Sequence, residues 1–263
     1  MAAYLGQEGY CLELELREGS QHCQKGTPEF LQRVLGRARQ LTATPLLLRL
    51  DSGNDAIENI AVVEAHNERE AQAARTDYLI KWNPRRESPE KWLAYAEEHG
   101  EWSAPRPGKR IALFDVVETR THDGYEYPLR RVMRVIERTI DKRGQLLLVP
   151  EIEIEGWWTS LVFDAQTIIA LYADHGTSEQ YHSEFKTDLD IERLPSGKFA
   201  TNALILACAQ LAYNILRWIG QNGLLGPDAP PRHRAKRRRI RTVMQELMYL
   251  AARLIHTGRR VKL

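Results

Sequence analysis

The sequence predicts an α/β fold in which a mixed sheet flanked by helices carries a β-rich insertion and is followed by a helical C-terminal region. Three observations support this fold class. Residues 46–50 are a nearly continuous apolar run, which is typical of a strand buried on both faces within a central sheet. Residues 111–163 contain apolar runs separated by turn signals such as Asp123-Gly124, which indicate strands and hairpins. The last third of the chain has helical periodicity.

The bulk composition is that of an ordinary globular protein. The chain has 263 residues, of which 43% are hydrophobic and 27% charged; it is long enough for one large domain with an insertion, or for two smaller domains. Its three cysteines form no CxxC pair, which favours a reduced, cytoplasmic protein and argues against a structural zinc site. No signal peptide is evident. The apolar stretch 203–219 contains Gln210, Asn214 and Arg217, so we expect a buried core helix rather than a membrane span.

The first elements are a strand and a helix. Leu and Glu alternate over residues 10–16, which predicts a strand with one solvated face. Thr27 and Pro28 then predict the start of a helix, with Thr27 as N-cap and Pro28 at the first helical position. A further helix over residues 55–66 and a strand over residues 78–82 follow the leucine-rich strand.

Asp51 comes directly after the leucine-rich strand. The end of a central strand is where α/β sheets place catalytic groups. The alternative is a helix N-cap or turn residue, because Ser-Gly-Asn follows. The position alone leaves both interpretations open.

Four helical segments are predicted in the last third: residues 164–172, capped by Asp164, and then residues 178–190, 200–219 and 239–255. Glu179 and Lys186 are seven residues apart, so they share a face of an α-helix. The alternative for this helix is a solvated polar surface.

Together these elements resemble the later part of the DDE transposases of bacterial insertion sequences, of the type with a β-rich insertion before the last catalytic residue. The last motif of that family is Tyr, two residues, Arg, three residues, Glu, six residues and Lys. Its spacing is matched by Tyr172, His175, Glu179 and Lys186. The string RLDSG at residues 49–53 looks like the motif of the family's second catalytic Asp, and residues 3–22 resemble the strands before it. The resemblance covers essentially the whole chain, and the two motifs together are specific.

The resemblance implies a ribonuclease H-like sheet and metal-dependent DNA cleavage and strand transfer. Asp51 and Glu179 would be catalytic metal ligands, with Mg²⁺ or Mn²⁺ as cofactor, because two divalent ions clamp an anionic phosphodiester in such chemistry. Glu184 is the less favoured alternative to Glu179. A second alternative makes Asp51 the first catalytic Asp and Asp115 the second.

Two departures from the family pattern affect the expected activity. His175 stands where the family has Arg, so we expect a weaker and pH-dependent phosphate contact. The family's first catalytic Asp lies on the first strand of the fold, yet Asp51 is the first Asp of this sequence. Glu13 and Glu15 lie on a different strand. We therefore expect an N-terminally truncated, catalytically incomplete copy; the alternative is a non-catalytic DNA-binding remnant. A metal-dependent nuclease of defence or repair is disfavoured by the Tyr-Glu-Lys spacing.

DNA is the expected partner, as transposon ends and target, and the resemblance is compatible with a homodimer. Seven of the ten residues from Arg232 to Arg241 are Lys or Arg, which suggests a polyanion partner or, equally, a solvated basic helix start. Base stacking on Trp82, Trp157 or Trp158 is a further hypothesis, weighed against a place in the core. The predicted DNA contacts are Tyr172, His175, Lys186, Arg193, Lys198, Arg237, Arg238 and Arg239.

Four regions are predicted along the chain. Residues 1–84 are the first part of the ribonuclease H-like domain without its first strand, and residues 85–163 are the β-rich insertion. Residues 164–225 are the second part of the catalytic domain, and residues 226–263 form a basic C-terminal helix.

Overall fold

The protein is described by a computed structural model that covers residues 1–6, 8–174, 177–223, 238–249, 255–257 and 260–262. The chain divides into two compact units. Unit 1 contains both ends of the chain, Met1–Gly19 and Gly176–Leu263, and unit 2 is the continuous segment Ser20–His175.

Unit 2 contains a six-stranded mixed sheet. Its strands are β3 (Leu46–Leu50), β4 (Thr76–Lys81), β5 (Glu101–Arg106), β6 (Lys109–His122), β7 (Tyr125–Ile140) and β8 (Leu146–Thr159). Their order is β3-β4-β8-β7-β6-β5. Strands β3 and β4 are parallel and all other pairs are antiparallel. The predicted mixed sheet is therefore present, and the strands of the predicted insertion continue it, because β8 pairs with β4.

The leucine-rich strand is β3, with the predicted bounds, but its predicted central position is wrong. It lies at one end of the six-stranded sheet, and only Leu50 of its residues is fully buried. Leu48 and Leu50 pack on one side of the sheet, whereas Leu47 packs on the other. Both faces of β3 are covered by apolar side chains, which explains its composition although it has only one neighbouring strand.

Helices pack on both sides of this sheet. They are α1 (Thr27–Leu41), α2 (Ile57–Asn67), α3 (Pro89–His99) and α4 (Ala165–Ala173). Buried side chains of α1, α2 and α3 join one core with Leu50 and Trp158, and Ile168 of α4 joins a second core with Leu79 and Trp157. Helix α3 lies within the predicted β-rich insertion, residues 85–163, and was not predicted from the sequence.

The start of α1 differs from the prediction. Gly26 is the N-cap, with φ of 77°, and no side chain caps the helix. Thr27 is fully buried and its Oγ1 lies 2.9 Å from the carbonyl oxygen of Cys23, so the hydroxyl serves the preceding loop. Asp164 does cap α4 as predicted, because its side chain accepts a hydrogen bond from the backbone N–H of Thr167.

Unit 1 combines an N-terminal hairpin with the C-terminal helices. Its elements are β1 (Ala2–Leu5), β2 (Tyr10–Leu14), α5 (Thr177–Ser183), a π-helical turn (Glu184–Asp188), α6 (Phe199–Asn222), α7 (Ile240–Leu247), β9 (Ile255–Thr257) and β10 (Arg260–Lys262). The helix predicted over residues 239–255 is wrong in length, since α7 ends at Leu247 and β9 begins at Ile255. The core of unit 1 contains Cys11, Phe185, Tyr213 and Ile240.

Candidate functional site

Asp51 is an exposed carboxylate at the end of β3. It is the N-cap of a 3-10 turn, Ser52–Asn54, and its Oδ1 accepts hydrogen bonds from Gly53 N at 3.1 Å and Asn54 Nδ2 at 2.7 Å. Its Oδ2 has no hydrogen-bond partner within the part of the chain that the structure describes. The structure therefore shows the turn role of Asp51, and its catalytic role stays a prediction: one oxygen holds the turn, and the other is available to a ligand.

Buried polar side chains fix the turn that carries Asp51. Asn54 is buried, and Asn59 Nδ2 donates a 2.7 Å hydrogen bond to its backbone oxygen. Thr27 Oγ1 lies 3.3 Å from Asn54 Oδ1. These positioning residues were not predicted from the sequence. Asn54, placed three residues after an Asp at a strand end, is the one whose spacing could have indicated its role.

Tyr172 and Lys81 lie in the same unit as Asp51 and extend its surroundings. Burial raises the pKa of Tyr172 to about 12, with a further contribution from the negative charge of Asp51. The Nζ of Lys81 lies 4.2 Å from the centre of the Trp157 ring and 5.8 Å from that of Tyr172. Burial raises the pKa of the Glu155 carboxyl, but hydrogen bonds from Lys81 and Arg134 outweigh it and hold that pKa below its usual range. Tyr172 thus stays protonated at neutral pH, and it lies close enough to both Asp51 and the ion-paired Glu155 to respond to their charges.

The two candidate glutamates of unit 1 differ in environment. Glu179 lies on α5 and is exposed. Glu184 is 2% exposed, and its Oε2 accepts hydrogen bonds from Arg217 Nη2 at 2.6 Å and from Ile240 N at 3.3 Å. A carboxylate engaged in this way has no open side for a metal or for water, and these contacts favour Glu179 as the functional acid.

The four residues of the spaced motif do not lie on one α-helix. Tyr172 belongs to α4 of unit 2, whereas Glu179 belongs to α5 of unit 1, and His175 lies outside the described residues. Lys186 is exposed on the π-helical turn, where Leu189 N donates to Glu184 O, five residues earlier. The expectation that Glu179 and Lys186 share a face assumed 3.6 residues per turn throughout, which the π-helical turn interrupts.

Asp115 does not form a site with Asp51. It lies on β6, four strands from β3 in the sheet order, which corresponds to roughly 19 Å at the usual strand spacing. Its Oδ2 accepts hydrogen bonds from Arg130 Nε at 3.0 Å and Nη2 at 2.8 Å. The alternative in which Asp51 and Asp115 share metal ions is therefore excluded by geometry.

The predicted DNA-contacting cations fall into two groups. Lys186, Arg193 and Lys198 are exposed side chains of unit 1. Arg238 instead forms an ion pair with Glu246, and Arg239 donates to both carboxylate oxygens of Asp188, at 2.8 and 3.0 Å. These two arginines are neutralised within the protein. Arg237, like most of the basic block, lies outside the described residues.

The three tryptophans considered for base stacking are core residues. Trp82 is 4% exposed, Trp157 2% and Trp158 1%. The Arg131 guanidinium lies 4.6 Å from the ring centres of both Trp82 and Trp158. Stacking of an extruded base on these rings would need the core to open, so the alternative of a core position holds.

The donor chemistry of the candidate acids suits a hard divalent cation. Asp51 presents a free carboxylate oxygen on a fixed turn, and Glu179 presents an exposed carboxylate; oxygen donors of this kind are what Mg²⁺ prefers. The described residues include no group of three or more His, Cys, Asp or Glu that could hold an ion together. The chemistry of the donor atoms therefore fits a divalent cation, and the two predicted ligands, Asp51 and Glu179, belong to different units.

The comparisons with known proteins give one family. The family model described as Transposase DDE domain group 1 matches residues 1–263. No curated protein matches the chain.

Proposed function

Because the chain belongs to the family of transposase DDE domains of group 1 over residues 1–263, we propose that it acts on DNA in transposition, through a ribonuclease H-like site of the kind found in bacterial insertion sequences. The family implies DNA as the partner and divalent metal ions as cofactors. Asp51 and Glu179 are the residues proposed to serve as the second and third catalytic carboxylates.

The observation that carries this proposal is the geometry of Asp51. Asp51 is exposed and follows a strand covered on both faces; its Oδ1 is fixed by Gly53 and Asn54, and its Oδ2 has no hydrogen-bond partner among the described residues. A purely structural capping Asp needs the first oxygen only. The combination of a fixed and an open oxygen is what a metal-ligating carboxylate requires.

The metal, Mg²⁺ or Mn²⁺, would supply charge stabilisation at a phosphodiester and activation of an attacking oxygen. The protein's own part is to hold carboxylates rigidly and to bind the DNA backbone. We assign the contacts to the DNA backbone to Lys186, Arg193 and Lys198. Their side chains are exposed, and they form no ion pair with an acid among the described residues. Arg239, by contrast, holds the start of α7 in place through its ion pair with Asp188.

A second candidate function is binding of DNA without cleavage. It is favoured by the lack, within the described residues, of a group of three ligands that would include Asp51. Of the acids that precede Asp51, Glu13 is buried and Glu15 pairs with Arg17 at 2.7 Å, both in unit 1. We propose that this chain, taken by itself, binds DNA and does not cleave it.

The test combines metal binding, DNA binding and cleavage on the purified chain. We expect Mn²⁺ to broaden the amide signal of Gly53 in the unaltered chain and not in Asp51→Asn, because the open oxygen of Asp51 is the ligand. Asp115→Asn is the matched control, since that carboxylate belongs to the same unit but is neutralised by Arg130, and its variant should behave like the unaltered chain. Unchanged broadening in Asp51→Asn would contradict the assignment of Asp51.

DNA binding and cleavage are measured on the same preparations. Lys186→Ala should weaken DNA binding several-fold and lower the salt slope by about 1, as expected for loss of one phosphate contact. Arg239→Ala should leave the salt slope unchanged. With Mg²⁺ or Mn²⁺ we expect no cleavage of supercoiled DNA; cleavage that disappears in Asp51→Ala would exclude the non-catalytic function and establish the enzyme.

A further inference from the structure

Helix α6 has an apolar outer face with the spacing of a helix–helix seam. The large apolar residues on this face are Leu204, Leu211, Ile215 and Trp218, with Cys208 between them, and we call these five residues the outer seam. The steps along it are four, three, four and three residues, which is the repeat that aligns knobs with the holes of a partner helix. Thr201 and Asn222 continue the repeat at its ends.

The outer seam is exposed along its whole length. Leu204 is 65% exposed, Leu211 64%, Ile215 50% and Trp218 60%. Single exposed apolar residues are ordinary on a protein surface, but a continuous stripe over about four helical turns marks a contact surface.

Specific hydrogen bonds on the inner face of α6 fix the orientation of the helix, so the outer seam faces outwards in a defined way. Asn214 Oδ1 accepts from Cys11 N at 2.8 Å, and Asn214 Nδ2 donates to Cys11 O at 2.9 Å. Tyr213 OH donates to Gly9 O at 3.0 Å, and Arg217 pairs with Glu184. The helix thus buries Leu206 and Tyr213 and bonds the hairpin on its inner face, while a second apolar stripe, the outer seam, faces away from that core.

We propose that the outer seam is the contact between two copies of this chain, joined by a two-fold axis. The only charged residue of α6 is Arg217, which is fully buried and ion-paired. When the outer seams of two copies meet, no like charges repel each other and no charge is buried without a partner. The two seams also have the same residue spacing, as a two-fold axis requires.

The area available is sufficient for a specific dimer. The four large side chains and their flanking alanines expose on the order of 500 Å² per copy, hence about 1,000 Å² for two copies, which is the lower limit for a specific interface. Ala207 and Ala212 beside the seam are small and exposed, so the backbones of two helices can approach closely. Helix α6 is also long and apolar enough to cross a membrane. The hydrogen bonds of its polar inner face favour a protein as the partner of the outer seam. Binding to lipid is therefore treated as one outcome of the test.

The test measures self-association in the absence of DNA, so its result is independent of the proposed function. Sedimentation velocity at increasing concentration should show a monomer–dimer equilibrium for the unaltered chain. Leu211→Glu and Ile215→Glu should each raise the dissociation constant by roughly tenfold or more, because a charge would be buried in the seam. Leu148→Glu is the matched control, since Leu148 is fully exposed on β8 in unit 2 and its variant should dimerise normally.

A second measurement needs no variant in the apolar part of the seam. A short bismaleimide should cross-link two chains through Cys208; the product should persist in Cys23→Ser and disappear in Cys208→Ser. A chain that is monomeric at all concentrations and gives no cross-link through Cys208 overturns the proposal, and so does dimerisation unaffected by the two glutamate variants. Binding of a monomeric chain to phosphatidylcholine vesicles that the same variants abolish would overturn it in favour of a lipid surface.

Discussion

The Asp51 turn of unit 2 and the Glu184–Arg217 cluster of unit 1 use a carboxylate in opposite ways. Asp51 is exposed and is held by two uncharged donors, Gly53 N and Asn54 Nδ2, which leave its charge uncompensated. Glu184 is buried and is neutralised by Arg217, whose own side chain is fully buried. Both acids are fixed in position, so rigidity does not distinguish a ligand from a structural acid. The distinction lies in whether the charge is already satisfied.

The largest expected effect that tests this comparison comes from breaking the buried pair. Arg217→Met should lower the free energy of unfolding by about 3–5 kcal/mol, because Glu184 would remain buried without its partner. Asp51→Asn should change it by less than about 1 kcal/mol, since the amide oxygen still accepts the two hydrogen bonds of the turn. Urea denaturation followed by circular dichroism measures both values.

The double variant Glu184→Gln/Arg217→Met is the control for this effect. It should recover part of the lost stability, because no uncompensated charge is left in the core. A loss below about 1 kcal/mol in Arg217→Met alone would mean that Glu184 reaches solvent in the folded chain, and the contrast with Asp51 would then fail.

A smaller effect is expected at Asn54, which links stability and ligand binding at the Asp51 turn. Asn54→Ala removes the 2.7 Å hydrogen bond to Asp51 Oδ1 and should cost about 1–2 kcal/mol of unfolding free energy. It should also lower Mn²⁺ affinity by roughly tenfold, because the ligand oxygen loses its orientation. Titration of the Gly53 amide signal with Mn²⁺ measures the affinity.

Asn67→Ala is the matched control for Asn54→Ala. Asn67 also bonds to backbone groups of unit 2, donating to Thr76 O at 2.9 Å and accepting from Thr76 N at 2.8 Å. Its loss should cost similar stability and leave Mn²⁺ affinity unchanged. Equal affinity losses in the two variants would show a general effect of destabilisation instead of a specific role of Asn54.

The smallest expected effect concerns Tyr172. Its pKa is raised to about 12 by burial and by the charge of Asp51, so the unfolded chain releases the phenolic proton near pH 10 while the folded chain keeps it. This contribution to stability is present below pH 10 and is lost as the pH rises towards 12. The free energy of unfolding of the unaltered chain should therefore fall relative to that of Tyr172→Phe across this interval.

The Asp51→Asn variant sharpens the measurement on Tyr172. Removal of the negative charge should end the decline at a slightly lower pH, because the charge of Asp51 raises the pKa of Tyr172 together with burial and the charge of Glu155. Parallel pH profiles for the unaltered chain and Tyr172→Phe would show that the phenol titrates normally and would remove the electrostatic link between Tyr172 and Asp51.

Local patterns in the sequence predicted much of the fold. Strand β3, the Asp164 cap and the turn at Asp123-Gly124 follow from side-chain chemistry within a few residues, and the turn indeed has positive φ at both positions. The edge position of β3 and the pairing of β4 with β8 depend on contacts between residues far apart in sequence, such as Leu79 and Thr159. No local periodicity encodes those pairings.

The residues of the candidate site also differ in whether local sequence predicts them. Asp51 was identifiable because a polar residue ends an apolar run, and Glu179 from its spacing within a family motif. The roles of Thr27 and Arg217 depend on contacts with residues far away in sequence, with Asn54 and Glu184, whereas Asn54 contacts Asp51 only three residues away. Arg217 nevertheless carried a signal, because a charge within an otherwise apolar helix requires a buried partner.

The composition of unit 1 from both ends of the chain has a consequence for how the protein is made. The β1–β2 hairpin leaves the ribosome well before α6, yet the side chains that bond its backbone belong to α6, as in the pairing of Cys11 with Asn214. Unit 2 is continuous in sequence and can complete its sheet during synthesis. The hairpin must wait until some two hundred further residues have been made, which places the maturation of unit 1 after translation of the last helices.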